Sequence, residues 1–298
     1  MSGFTAVDLS QLPAPDVTEA LSFETIFAAM LADLQSRDST FDALLESDPA
    51  FKILEVAAYR ELLIRQRVNE ASLATMLAFA KDADLDQIGG TFSVARLVLD
   101  PGDANAVPPV APTYESNDDF RYRIQLSPEG YSVAGPKGAY VFHALSADGD
   151  VLDARPASPT PGDVVVSVLS RTGDGTAPQA LLDAVNAALS DETVRPLTDN
   201  VSVQSATIAT YSITATLYFY SGPGSAQAMA AAQSAIEQYT VAQHKLGLDV
   251  TLSGIYAALH QPGVQRVDLS LPAANIVVDG ETATYCTAIA LTDGGIDE

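Results

Sequence analysis

Three histidines, one cysteine, a serine near two glycines and several aspartate-rich runs are the residues here whose types could support chemistry. A zinc site of the HExxH kind needs two imidazoles one helical turn apart with a carboxylate between them. His143, His244 and His260 form no such motif and no HxH pair, and His143 stands in YVFHALSA, a helical setting that suits a structural histidine. A nucleophile elbow needs GxSxG after a buried strand. The stretch Gly130 to Gly135 puts one residue too many between Ser132 and the second glycine. Gly222-Pro223-Gly224-Ser225 sits where a dinucleotide loop would, but Gln227 takes the third glycine position and Pro223 has no N–H for a phosphate. Gly173-Asp174-Gly175 lacks the GKS or GKT ending of a P-loop. The run Asp82-Ala83-Asp84-Leu85-Asp86 lacks the mid-loop glycine and terminal glutamate of a calcium loop. Cys286 lies in the alternating run TATYCTAIAL, where a small buried side chain fits better than a nucleophile. The expectation is no catalytic residue, no metal and no cofactor.

Charge narrows the function further. Lysine plus arginine number 15 against 38 acids, a formal charge of −23. A polyanion gains nothing from counterion release on a phosphate backbone, so nucleic-acid binding and docking on an anionic membrane are not expected. The balance of 47 % hydrophobic and 18 % charged residues fits packed globular structure. No apolar run approaches the roughly 18 residues of a membrane span. The first sixteen residues carry acids and no Lys or Arg, so no secretory signal is read there. A single cysteine cannot form an internal disulfide, which fits folding in a reducing cytoplasm.

The elements that would position these residues follow from periodicity. Residues 1–21, with Pro13 and Pro15, read as an extended arm. Ser22 caps a helix over 23–36 whose apolar residues recur at three and four. Asp48-Pro49 starts a long helix expected over 50–81, and Gly89-Gly90 ends the helical region. One heptad-like row along it runs Val56, Tyr59, Leu63, Gln66, Glu70, Leu73, Leu77, Ala80, apolar at both ends and polar at the waist. Such a row suits a helix that crosses two packing environments, either a bundle between subunits or its own domain. Its apolar members Val56, Tyr59, Leu63, Leu73, Leu77 and Ala80 are the candidate interface. Residues 99–118 are a Pro- and Asp-rich connection, followed by helices over 117–126 and 136–147, a strand over 164–169 and a helix over 177–189. Residues 201–220 alternate almost without a break, with a bend expected near Ala209-Thr210. Helices at 224–239 and 251–260 and strands at 264–271 and 283–291 complete the chain. The fold class is α+β: an N-terminal long-helix element (1–97), a mixed α/β middle domain (98–200) and a small α+β C-terminal domain (201–298).

Several strings, in order, resemble one family. ESNDDFRYRIQL (115–126), AGPKGAYVFHALSA (134–147), PTPGDVVVSVLS (159–170), VRPLTDNVSV (194–203) and HKLGLDVTLSGIYAALHQPGVQRVDLSLP (244–272) are similar to the baseplate J-like proteins of contractile phage tails and R-type tailocins. So are DLSQLPAP (8–15) and Val94-Ala95-Arg96-Leu97. The resemblance implies a wedge subunit of a baseplate ring that surrounds the hub and transmits the trigger for sheath contraction. It implies assembly in the bacterial cytoplasm. The implied partners are other copies, other wedge proteins, the tail hub, and sheath or fibre-attachment proteins. No catalytic residues belong to the family. A fibre-docking adaptor of the same particle is the rival reading, and an enzyme of unknown class a more distant one.

Overall fold

The computed structural model describes residues 7–297 apart from 14, 16, 133 and 223. The arm expected over 1–21 is therefore seen only in part, with one 3-10 turn at Leu9–Gln11. The described chain is α+β and divides into two compact units.

The first unit comprises residues 7–96 with 116–124. Helix α1 (Phe23–Arg37) begins at Ser22, whose hydroxyl accepts from the Thr25 N–H at 3.2 Å. Helix α2 (Pro49–Ala74) packs against it, with the rings of Phe27 and Phe51 4.8 Å apart and Ala58 fully buried. The expected helix over 50–81 is thus shorter: α2 ends at Ala74, a turn follows, and α3 spans Asp82–Thr91. The interruption frees carbonyls, and Arg121 takes two of them, Nε to Leu77 O and Nη2 to Ala80 O, both at 2.8 Å. Gly89 and Gly90 lie in the last turn of α3, which ends at Thr91 with the Phe92 N–H on their carbonyls, so the helical region stops where the glycines were expected to stop it. A Cβ on Gly89 would stand 2.4 Å from Phe120, so the glycine admits that ring. Arg96 stacks on the same ring at 4.6 Å and pairs with Asp86 at 2.7 Å, and Arg123 donates to Ala95 O at 2.6 Å. Residues 94–96 and 116–124 thus pack together within this unit.

Helix α4 (Asn117–Gly130) is shared: residues 117–124 belong to the first unit and 125–130 to the second. The second unit otherwise holds residues 97–115 and everything after 125. The Pro-rich connection forms a short antiparallel pair, β1 (Val98–Asp100) and β2 (Thr113–Tyr114). Helix α5 (Lys137–Ala147) precedes β3 (Val151–Ala157) and β4 (Asp163–Ser170), which pair antiparallel. Helix α6 (Gln179–Leu189) then crosses to β5 (Asn200–Ser205), parallel to β4. Val164, Val166 and Val168 of β4 face Tyr140, Ala144 and Leu145 of α5 and Leu181, Val185 and Leu189 of α6 in one core. A strand buried on both faces reads as continuous valine, and VVVSVLS does so.

The alternating run 201–220 divides earlier than expected, at Ala206, whose N–H donates to Val168 O at 2.8 Å. Residues before it belong to the middle sheet, because β5 pairs with β4 along its length. The boundary expected at 200/201 therefore falls inside a strand of that sheet. After it, β6 (Thr207–Phe219) is the centre of a second sheet, antiparallel to β7 (Val264–Leu271) and parallel to β8 (Thr282–Ile296). Tyr211, Ile213, Ala215, Leu217 and Phe219 bury one face against α7 (Ser225–Gln243) and α8 (Leu252–Leu259). Ala228 and Ala232, one turn apart on α7, keep that helix close to the sheet. The opposite face carries Ser212, Thr214, Thr216 and Tyr218, as the alternation predicts.

Candidate interaction surface

Helix α2 presents an inward row and an outward apolar row about half a turn apart. Phe51, Leu54, Ala58, Leu62, Arg65 and Asn69 recur at three and four, and they turn toward α1 and the arm. There Arg65 pairs with Glu19 at 2.9 Å, and Asn69 both accepts from Glu19 N–H and donates to Glu19 O. Ile53, Val56, Leu63, Ile64, Val68 and Tyr59 project from the other side, between 38 % and 70 % exposed. Fully burying one such aliphatic side chain is worth about 1.5–3 kcal/mol, so five of them and a tyrosine left in water on one helix mark a surface that a partner would cover.

The six candidate interface residues do not form one row. Val56, Tyr59 and Leu63 are exposed on α2. Leu73 is half-buried in its last turn, and Leu77 is half-buried beyond its end. Ala80 is 1 % exposed and its carbonyl is taken by Arg121, so it lies within the unit. A single heptad-like row assumed one continuous helix, and the break after Ala74 takes Leu77 and Ala80 off it. Ile53, Ile64 and Val68 were missed by that row. Steps of three and four from Ile53 reach Val56, Arg60 and Leu63 along one row and Ala57, Arg60, Ile64 and Val68 along another. At the polar waist Gln66 donates to Glu70 at 3.0 Å, one turn away.

The residues screened for chemistry occupy structural places. Nε2 of His143 meets Gly130 O at 3.2 Å, and burial holds its pKa below the usual imidazole range. Nδ1 of His244 meets Thr284 O at 2.6 Å and its ring lies edge-on to Tyr285. His260 caps the end of α8 through its N–H to Tyr256 O. The Cys286 thiol donates to Ala288 O at 3.4 Å, and burial pushes its pKa up, away from thiolate. Ser132 Oγ accepts from the Ala134 N–H in a turn, while Val133 and Pro223 of the two glycine motifs lie outside the described residues. Among the described residues no cluster of three or more His, Cys, Asp or Glu could hold a metal. No described helix is long and apolar enough to cross a membrane.

Known proteins give this arrangement a class. Residues 46–103 match the Baseplate J-like N-terminal domain, 132–205 the Baseplate J-like central domain, and 211–292 the Baseplate J-like protein C-terminal domain. The three in this order define a structural component of a phage-tail baseplate. The chain belongs to the Baseplate J-like family. It is 50 % identical over 299 residues to "Baseplate protein J" of Escherichia phage P2, covering 98 % of this chain and 99 % of that protein. Among solved structures it is similar to a chain of the anti-feeding prophage (AFP) baseplate, determined by cryo-EM, at 16 % identity and a TM-score of 0.41. That match covers 59 % of this chain and 43 % of the other.

Proposed function

We propose that this chain is a wedge subunit of a contractile-tail baseplate ring, and that it works as a mechanical part and not as an enzyme. The observation that carries the reading is the outward apolar face of α2, on a helix whose opposite side already packs against α1 through Phe51 and Ala58. Family membership supplies the setting, a baseplate assembled from several proteins. In that setting the first unit docks other wedge proteins or further copies through α2. The second unit, with its two sheets, contributes to the ring around the hub and passes on the trigger for sheath contraction. Hub, sheath and fibre-attachment proteins are the remaining partners of this reading, and the particle assembles in the bacterial cytoplasm.

The test is the double variant Val56→Asp/Leu63→Asp, expressed in a host that makes the rest of the particle. Both side chains are exposed, so the isolated variant should melt within about 0.5 kcal/mol of the unaltered chain. Buried at an interface, each carboxylate would cost several kcal/mol if unpaired. The expected outcome is a folded chain absent from purified baseplates. Normal incorporation of the variant would refute docking through α2.

A further inference from the structure

The middle sheet and the second sheet meet at a joint that leaves no slack in the chain. Strand β5 ends at Ser205 and β6 begins at Thr207, so Ala206 alone separates them. The Ala206 N–H donates to Val168 O at 2.8 Å on the middle-sheet side, and the Thr207 N–H donates to Glu281 O at 3.0 Å on the other. A linker that lets two domains swing is exposed and makes few contacts, whereas Ala206 is 6 % exposed.

An apolar seam surrounds that crossing. Leu152 of β3 and Leu169 of β4 enter it from the middle sheet, and Ile208, Leu246 and Ala283 from the other side. Leu169 and Ala283 are fully buried there. Polar contacts flank the seam. Gln204 donates to Glu281 at 3.3 Å, and the Arg155 guanidinium lies against Gly247 and Gly280. Gly175, in the turn after β4, makes room for the His244 ring, which stands 3.0 Å from where a Cβ would be.

Asp153 ties the two sides together. The register of β3 slips between Val151 and Asp153, and the consecutive side chains Leu152 and Asp153 both reach the joint. Oδ2 of Asp153 accepts from the Leu246 N–H at 3.0 Å across the joint, while Oδ1 is fixed by the Ala154 N–H at 2.8 Å within β3. Leu246 is thus held twice, by its side chain in the seam and by its N–H on the carboxyl.

We propose that the two sheets move as one rigid body, with the Asp153 carboxyl as the clasp of their joint. Domains of one chain shift against each other by default unless the contact between them is apolar and close. Here a one-residue crossing, a buried seam and a carboxyl bonded across it all oppose that shift. A displacement applied to either sheet is then delivered to the other, with no hinge between them to absorb it. The inference concerns the chain by itself and does not depend on docking through α2.

The experiment uses the full chain with Cys286→Ser, which removes the lone native thiol. Nitroxides on the exposed positions Ala187→Cys of α6 and Ala231→Cys of α7 report across the joint. A second pair, Ala231→Cys with Ser270→Cys of β7, reports within the second sheet and its helix. In double electron–electron resonance the cross-joint pair should give a single peak as narrow as that of the second pair. A broader or split cross-joint distribution would overturn the proposal. The clasp is tested by trapping rare openings: Ala283→Cys places one thiol in the seam, and its rate of maleimide labelling follows the open fraction. Losing one hydrogen bond to a carboxyl is worth roughly tenfold in such an equilibrium, so adding Asp153→Ala should speed labelling roughly tenfold. Asp153→Asn keeps one acceptor oxygen and should speed it less, and it serves the same purpose if Asp153→Ala does not fold. A labelling rate unchanged by loss of the carboxylate would remove Asp153 as the clasp.

Discussion

Asp153 on β3 is held by two backbone amides of different origin: Oδ1 accepts from Ala154 N–H at 2.8 Å and Oδ2 from Leu246 N–H at 3.0 Å. Burial nonetheless raises its pKa above the usual carboxylate range, against the pull of those amides and of Lys245 and Arg155. The folded chain therefore keeps a proton on Asp153 at pH values where the unfolded chain, near 3.9, has released it. By linkage, stability attributable to this site is fully present below about pH 3.9 and declines as pH rises through the raised value. Asp153→Asn loses one acceptor, a cost that does not vary with pH. The variant's melting temperature relative to the unaltered chain should therefore climb as pH increases through that window, then level off. A difference constant from about pH 4 to pH 8 would mean that Asp153 titrates as it does in the unfolded chain. Nearby, Arg155 lies against Gly247 and Gly280, where a Cβ would stand 2.1 Å and 2.7 Å from its guanidinium. Both glycines serve that contact, and Gly247 also needs its φ of +72°.

At the scale of elements, local signals were legible where the local chain decides. The Ser22 cap, the Asp48-Pro49 start, the alternating face of β6 and strand β7 appear where spacing put them. Two breaks were not legible, and the reason is the same for both. Helix α2 stops at Ala74, and two carbonyls in the turn beyond it, Leu77 O and Ala80 O, are satisfied by Arg121, more than forty residues on. The run after 200 breaks at Ala206 because that residue bonds to β4 and packs among Leu169, Leu246 and Ala283. No property of residues 75–81 or 201–220 alone carries that information. The exposed half of α2 was legible as apolar, but a heptad-like row drawn through the break mixed Val56, Tyr59 and Leu63 with the buried Ala80. Arg121→Ala should destabilise the chain by about 1–3 kcal/mol in urea unfolding, because two part-buried carbonyls lose a charged donor. Arg121→Lys should recover only part of it, since one ammonium does not reproduce the fork that reaches both. A loss below about 0.5 kcal/mol for Arg121→Ala would show that water serves these carbonyls equally well.

For the whole molecule, the first unit is discontinuous in sequence, and that has a consequence during synthesis. Residues 7–96 leave the ribosome before Phe120, Arg121 and Arg123 have been translated. At about 5–20 residues per second, roughly one to six seconds separate Arg96 from Ile124. Through that interval the ring that fills the space at Gly89 and the guanidinium that satisfies the turn after α2 are missing, while the apolar row from Ile53 to Val68 is already out. The nascent chain thus displays adhesive surface before its foundation exists, a period in which a chaperone or a waiting partner helix would protect it from aggregation. Released fragments make the point measurable. A fragment of residues 1–97 should give a broad, weakly cooperative thermal transition, and one of residues 1–130 a sharp one. Equal cooperativity in the two would show that residues 116–124 complete nothing and that the unit matures as soon as Arg96 emerges.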